Sequence, residues 1–100
     1  MFRELIVPPN AKTAEQAVEL LRGWIIDGHP QYSLFPTVWK NDLDSWGRFL
    51  ADTANHLSNA ISEETGCNSE EVLRAIKLAF NRELDHPANT HAGEFHQREA

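Results

Sequence analysis

Between residues 43 and 64 apolar side chains recur at spacings of three and four: Leu43, Trp46, Phe49, Leu50, Ala54, Leu57, Ala60 and Ile61. At 3.6 residues per turn they share one side of an α-helix, and Arg48, Asp52, Asn55, His56, Ser58, Asn59 and Ser62 fall opposite. Asp42 or Asp44 is placed to cap this helix, and Gly66 to end it in a left-handed conformation that costs glycine no Cβ clash. A second stripe, Val72, Leu73, Ile76, Ala79, Phe80 and Leu84, predicts a last helix over residues 69–84, with Leu78 outside it. Asn68 or Ser69 offers its cap, and Asn68 with Glu71 has capping-box spacing. Earlier, Ala14, Ala17, Val18 and Leu21 predict a first helix over residues 13–22, opened by the Thr13 and Gln16 pair and ended by Gly23. The period then changes. Residues 24–26 and 32–35 are rich in β-favouring side chains, and the Asp27-Gly28-His29-Pro30 segment between them predicts a β-hairpin. The connector over residues 35–41 is apolar for a loop, so Val38 or Trp39 is expected to fold back over the core.

These elements give an α+β domain: an N-terminal helix, a β-hairpin, then two C-terminal helices packed on a small antiparallel sheet. Residues 1–12 are expected to form an arm or edge strand, 13–85 a single domain, and 86–100, which lack periodicity, a flexible tail. A lone hairpin is marginally stable, so the sheet is expected to be extended by residues 2–7 or by the same hairpin of a second subunit. A symmetric homodimer is the expected assembly, with Trp24, Tyr32, Trp39 and Trp46 as interaction anchors. The Trp46-Gly47 pair predicts a close approach of the hairpin to the long helix.

Composition narrows the picture further. Forty-one per cent hydrophobic and 24% charged residues over 100 positions describe an ordinary globular chain. Fifteen acidic and nine basic residues leave a net charge of −6, which disfavours nucleic acid and anionic lipid as partners. Cys67 is the single cysteine and forms no intramolecular disulfide; no secretory leader is visible, so a cytoplasmic location is expected. No apolar run is long enough to cross a bilayer.

Candidate chemistry is sparse. Asp52 and His56 are one helical turn apart, with Arg48 a turn earlier, the spacing by which a carboxylate orients an imidazole as a general base. The same spacing describes a solvated charge ladder, and no nucleophile or glycine-rich loop accompanies it, so Asp52, His56 and Arg48 stay weak catalytic candidates. His86, His91 and His96 are spaced by five, which does not stack them on a helical face, and neither metal nor cofactor is expected. Residues 64–82 have the outline of a helix-turn-helix, but the second helix opens with Glu70-Glu71, where phosphates require positive charge.

Taken together, Leu21-Arg22-x-Trp24, Asp27-Gly28, Leu34-x-Pro36 and Trp46-Gly47-x-x-Leu50-Ala51-Asp52-x-x-x-His56 resemble a small family of proteobacterial proteins of about this length, a domain of unknown function. The resemblance covers residues 21–84 and implies an α+β domain with no assigned activity. Three readings of function follow: a non-enzymatic structural or protein-interaction module, a small-molecule binder or enzyme using Asp52 and His56, and a nucleic-acid binder through residues 64–82.

Overall fold

The strands of the hairpin are β1, Leu21–Ile26, and β2, His29–Leu34, antiparallel from Leu21↔Leu34 to Ile26↔His29. Their two-residue loop places Asp27 at φ 50° and Gly28 at φ 83°. Positive φ at both central positions is the turn whose twist matches that of the flanking strands, and Asp-Gly meets it at low cost. The computed structural model describes residues 1–86 and 94–97. The chain divides into two units, Met1–Val38 with Gly93–Ala100, and Trp39–Ala92, a division that falls inside the 13–85 span expected for one domain.

In the first unit the expected helix over residues 13–22 does not form. Helix α1 is only Asn10–Thr13, and Ala14 already has extended dihedrals, φ −72° and ψ 154°. Thr13 does not cap a following helix, because its hydroxyl donates back to the Asn10 carbonyl at 3.5 Å. An isolated ten-residue helix is marginal in water, whereas the same residues at their C-terminal end gain a ladder with β2. Phe35 N–H donates to the Leu20 carbonyl at 3.0 Å, so the pairing runs one residue beyond β1. Gly23, expected to end the helix, lies inside β1, where a Cβ would meet the Tyr32 ring at 3.7 Å.

The sheet has a third strand. Strand β3, Glu94–Gln97, runs parallel to β2 from Gln31↔Glu94 to Leu34↔Gln97, giving the order β1-β2-β3. Strand formation was not expected in residues 86–100; what their polar composition conceals is that the second edge of β2 needs a partner. Residues 1–12, expected as an arm or edge strand, hold no strand, and helix α1 begins within them at Asn10. The N-terminal segment is tied to β1 by side chains: the Phe2 and Trp24 rings have centroids 5.3 Å apart, and Glu4 pairs with Arg22 at 3.0 Å. Glu19 also pairs with Arg22, at 2.9 Å, and with Glu4 holds the guanidinium above its ordinary pKa.

The second unit is a helical hairpin. Helix α2, Leu43–Thr65, matches the predicted long helix and ends as predicted at Gly66, φ 80°, whose N–H donates to the Ser62 carbonyl at 2.9 Å. Asp42 is the N-cap, but its carboxylate accepts the Ser45 hydroxyl at 2.7 Å instead of a backbone N–H. Helix α3, Ser69–Asp85, is capped by Asn68, whose Oδ1 accepts from Glu70 N at 2.9 Å and Glu71 N at 3.1 Å. Asn68→Ala leaves both donors without that acceptor and is expected to cost about 1 kcal/mol in urea unfolding. A loss below a few tenths would show that water replaces the cap fully.

Where α2 meets α3 the most buried described residue is Ser58, 1% exposed, its hydroxyl donating to the Ala54 carbonyl at 2.8 Å. The hydrophobic pattern had put Ser58 on the polar side. A small side chain that satisfies itself within its own helix lets the two helices approach, so the contact runs along the margin of the apolar stripe. Val72, Leu73, Ile76 and Ala79 of α3 are half-buried. No described hydrophobic residue of either unit is buried.

Candidate functional site

The Asp52 and His56 pair exists as predicted. His56 Nε2 lies 3.3 Å from Asp52 Oδ2, one turn apart on α2, with the side chains 78% and 71% exposed. Arg48 does not join them: it donates to the Ser45 hydroxyl at 2.9 Å and lies 3.5 Å from the Asp42 carboxylate. The three weak catalytic candidates are thus two separate surface groupings, one a charge ladder and the other part of the helix start. Solvent at both ends of the imidazole–carboxylate pair screens its field and competes for its hydrogen bond. Alanine at Asp52 or at His56 is expected to leave the urea midpoint and the mass in solution unchanged. A loss of cooperative unfolding in either variant would overturn the surface-ladder reading.

The predicted interaction anchors separate between the units. Trp24 and Tyr32 belong to the sheet, on opposite faces of it, because Trp24 pairs across from Gln31 and Tyr32 from Gly23. Trp39 and Trp46 belong to the helical unit and form a three-ring cluster with Phe49. Ring centroids are 5.3 Å apart for Trp39 and Trp46, 6.0 Å for Trp39 and Phe49, and 6.0 Å for Trp46 and Phe49. The Trp46 contacts are edge-to-face at 80° and 87°, the arrangement that sets the positive edge of one ring against the negative face of another. The Asp42 N–H, donating to the Trp39 carbonyl at 3.0 Å, closes the turn that folds Trp39 back, as expected for this connector.

Beside this cluster the helices enclose an open apolar groove of about 430 Å³, with Gly47, Ala51 and Ala54 of α2 facing Leu73, Ile76 and Phe80 of α3. A Cβ on Gly47 would meet nothing of its own helical unit within 4 Å. Glycine inside a helix costs about 0.5–1 kcal/mol relative to alanine, and no contact within this unit offsets it. The groove was missed in the sequence, where Ala51 falls between the two sides and only Gly47 in an apolar stripe signalled it.

For the other candidates the geometry is brief. Asn68 and the acidic pair Glu70 and Glu71 occupy the start of α3, where a helix-turn-helix would meet phosphate. Cys67 is exposed. Among the described residues no three His, Cys, Asp or Glu side chains are grouped to hold a metal, and no helix is long and apolar enough to cross a membrane. His91 lies outside the described residues.

A β-hairpin sheet and a helical hairpin, each with an open apolar surface, define a small α+β protein without an assembled catalytic constellation among its described residues. The chain belongs to the family described as Domain of unknown function (DUF5076), which it matches over residues 4–88. A solved structure from the photosynthetic bacterium Rhodopseudomonas palustrus CGA009, provisionally named a pyruvate dehydrogenase, is similar with a TM-score of 0.74 and 25% identity. The match covers 100% of this chain and 98% of that one. No curated protein matches this chain.

Proposed function

We propose that this protein is a non-enzymatic structural module that works as a cytoplasmic homodimer and presents its assembled surface to a protein partner. The supporting observation is the want of any buried hydrophobic side chain among the described residues, while Leu43, Ile25 and Leu84 are 71%, 71% and 65% exposed. Ordering a chain of this length costs conformational entropy on the order of 100 kcal/mol, offset chiefly by apolar burial at about 25 cal/mol per Å². Neither unit supplies that burial alone, and a second copy doubles the apolar surface available without adding a new kind of chain. The exposed thiol of Cys67 suits a reducing compartment.

The dehydrogenase name of the Rhodopseudomonas structure does not change this reading. Oxidation of a 2-oxo acid needs charge stabilised in a site shielded from water, and the Asp52 and His56 pair stands in solvent. Light scattering across a range of protein concentrations tests the proposal. A mass of about twice 11.4 kDa that persists to low micromolar concentration is expected; a monomer that unfolds cooperatively at every concentration would overturn it.

A further inference from the structure

We infer that β1 pairs antiparallel with β1 of a second copy about a two-fold axis at Gly23, joining two three-stranded sheets into one. This rests on the homodimer reading above and specifies its contact.

Among the described residues β1 is an edge of the sheet. The parity of its hydrogen bonds is set by the Phe35 N–H to Leu20 carbonyl bond and by the register Leu21↔Leu34 through Ile26↔His29. Leu20, Arg22, Trp24 and Ile26 turn their amides towards β2, so Leu21, Gly23 and Ile25 turn theirs outward. Residues 3–8 border this strand across a cavity of about 800 Å³ that Leu21, Gly23 and Trp24 also line, and a second copy has to be seated beside that segment. The strand itself carries no other device that keeps strands apart. It has no proline, no lysine and no bulge, and the one charge in its six residues, Arg22, is already paired with Glu4 and Glu19.

The second copy is the occupant that the side chains fit. With the axis at Gly23, Leu21 stands opposite Ile25 of the second copy and Arg22 opposite its Trp24, so apolar meets apolar and no like charges face each other. Ile25, 71% exposed, and Leu21, 37% exposed, are covered together. At the axis itself two glycines meet, each flanked by its own Tyr32 ring, whose nearest atoms would lie 3.7 Å from a Cβ there. Moving the axis one residue to Trp24 would oppose two indoles that already carry the Phe2 rings, and would leave Ile25 facing glycine. Moving it to Arg22 would oppose two guanidinium groups. Of these three axes the one at Gly23 fits the side chains best.

Single-cysteine variants in a Cys67→Ser background read that register directly. In a hydrogen-bonded antiparallel pair the Cα atoms are about 5.5 Å apart, within disulfide reach, so Gly23→Cys is expected to form a reducible cross-linked dimer in near-full yield on mild oxidation. Its Cβ makes only ordinary contact with Tyr32. Ile25→Cys alone is expected not to cross-link, since two copies of that position would lie roughly 13 Å apart at about 3.4 Å per residue. Mixed with Leu21→Cys it is expected to cross-link, which keeps the test intact if Gly23→Cys misfolds. A protein that is dimeric by light scattering but cross-links neither at Gly23 nor in the mixture would overturn this contact and leave the dimer standing. Cross-linking of Ile25→Cys alone as readily as Gly23→Cys would overturn the register. A monomer in light scattering would remove the dimer and the contact together.

Discussion

A hundredfold dilution of the protein is expected to lower its thermal midpoint by about 6 °C. For a folded dimer in equilibrium with unfolded chains, that dilution changes the free energy by about 2.7 kcal/mol per dimer at room temperature. Two chains of this length unfold with an entropy of roughly 0.4 kcal/mol/K, and the quotient gives the shift. On the proposed homodimer the cause is that the apolar surfaces of the sheet and of the helical hairpin have no cover within their own units, which would make folding and association one event. Leu50, Leu57 and Phe80 on the helices are 39%, 49% and 49% exposed, and each raises the cost of a free protomer. Scanning calorimetry at two concentrations is sufficient. A midpoint that does not move would mean that the protomer closes its own apolar surface, and the search for a second copy would end there.

Replacing Trp46 by alanine is expected to lower stability by about 2 kcal/mol and the midpoint by roughly 10 °C. Trp46 is half-buried and makes two of the three ring contacts in the cluster with Trp39 and Phe49. Fully buried aromatic-to-alanine changes cost about 3–5 kcal/mol, and partial exposure brings the figure down. The cluster also fixes the turn before α2, where Asp42, Ser45 and Arg48 are linked by hydrogen bonds. Loss of Trp46 should therefore remove near-ultraviolet circular dichroism from Trp39 as well. A variant with unchanged urea midpoint and unchanged near-ultraviolet signal would show that the three rings stabilise nothing.

Where local signals agreed with each other, the chain could be read in advance. The α2 stripe, its Gly66 ending, the Asn68 cap of α3 and the Asp27-Gly28 turn each depend on residues within a few positions of one another. The α+β class followed from them. The failed helix over residues 13–22 shows the opposite case: its capping box and spacing were sound, but the ladder partner at residues 33–35 decided the outcome. The tail is similar, since Glu94–Gln97 becomes a strand only because β2 offers an edge.

The candidate chemistry divides in the same way. That Asp52 and His56 meet is a property of one helical turn and was legible from their spacing. That Arg48 turns back to Ser45 and Asp42 is equally local, a contact with the helix start three and six residues away. That Gly47, Ala51 and Ala54 line a groove opposite Leu73 and Phe80 depends on how one helix lies beside another. Helical period, caps and tight turns are set by short-range sterics and hydrogen bonds, which a sequence carries on its face. Strand partners, the burial of Ser58 and the exposed edge of β1 arise from contacts between residues far apart in the chain, whose energies outweigh local preference and leave no local mark.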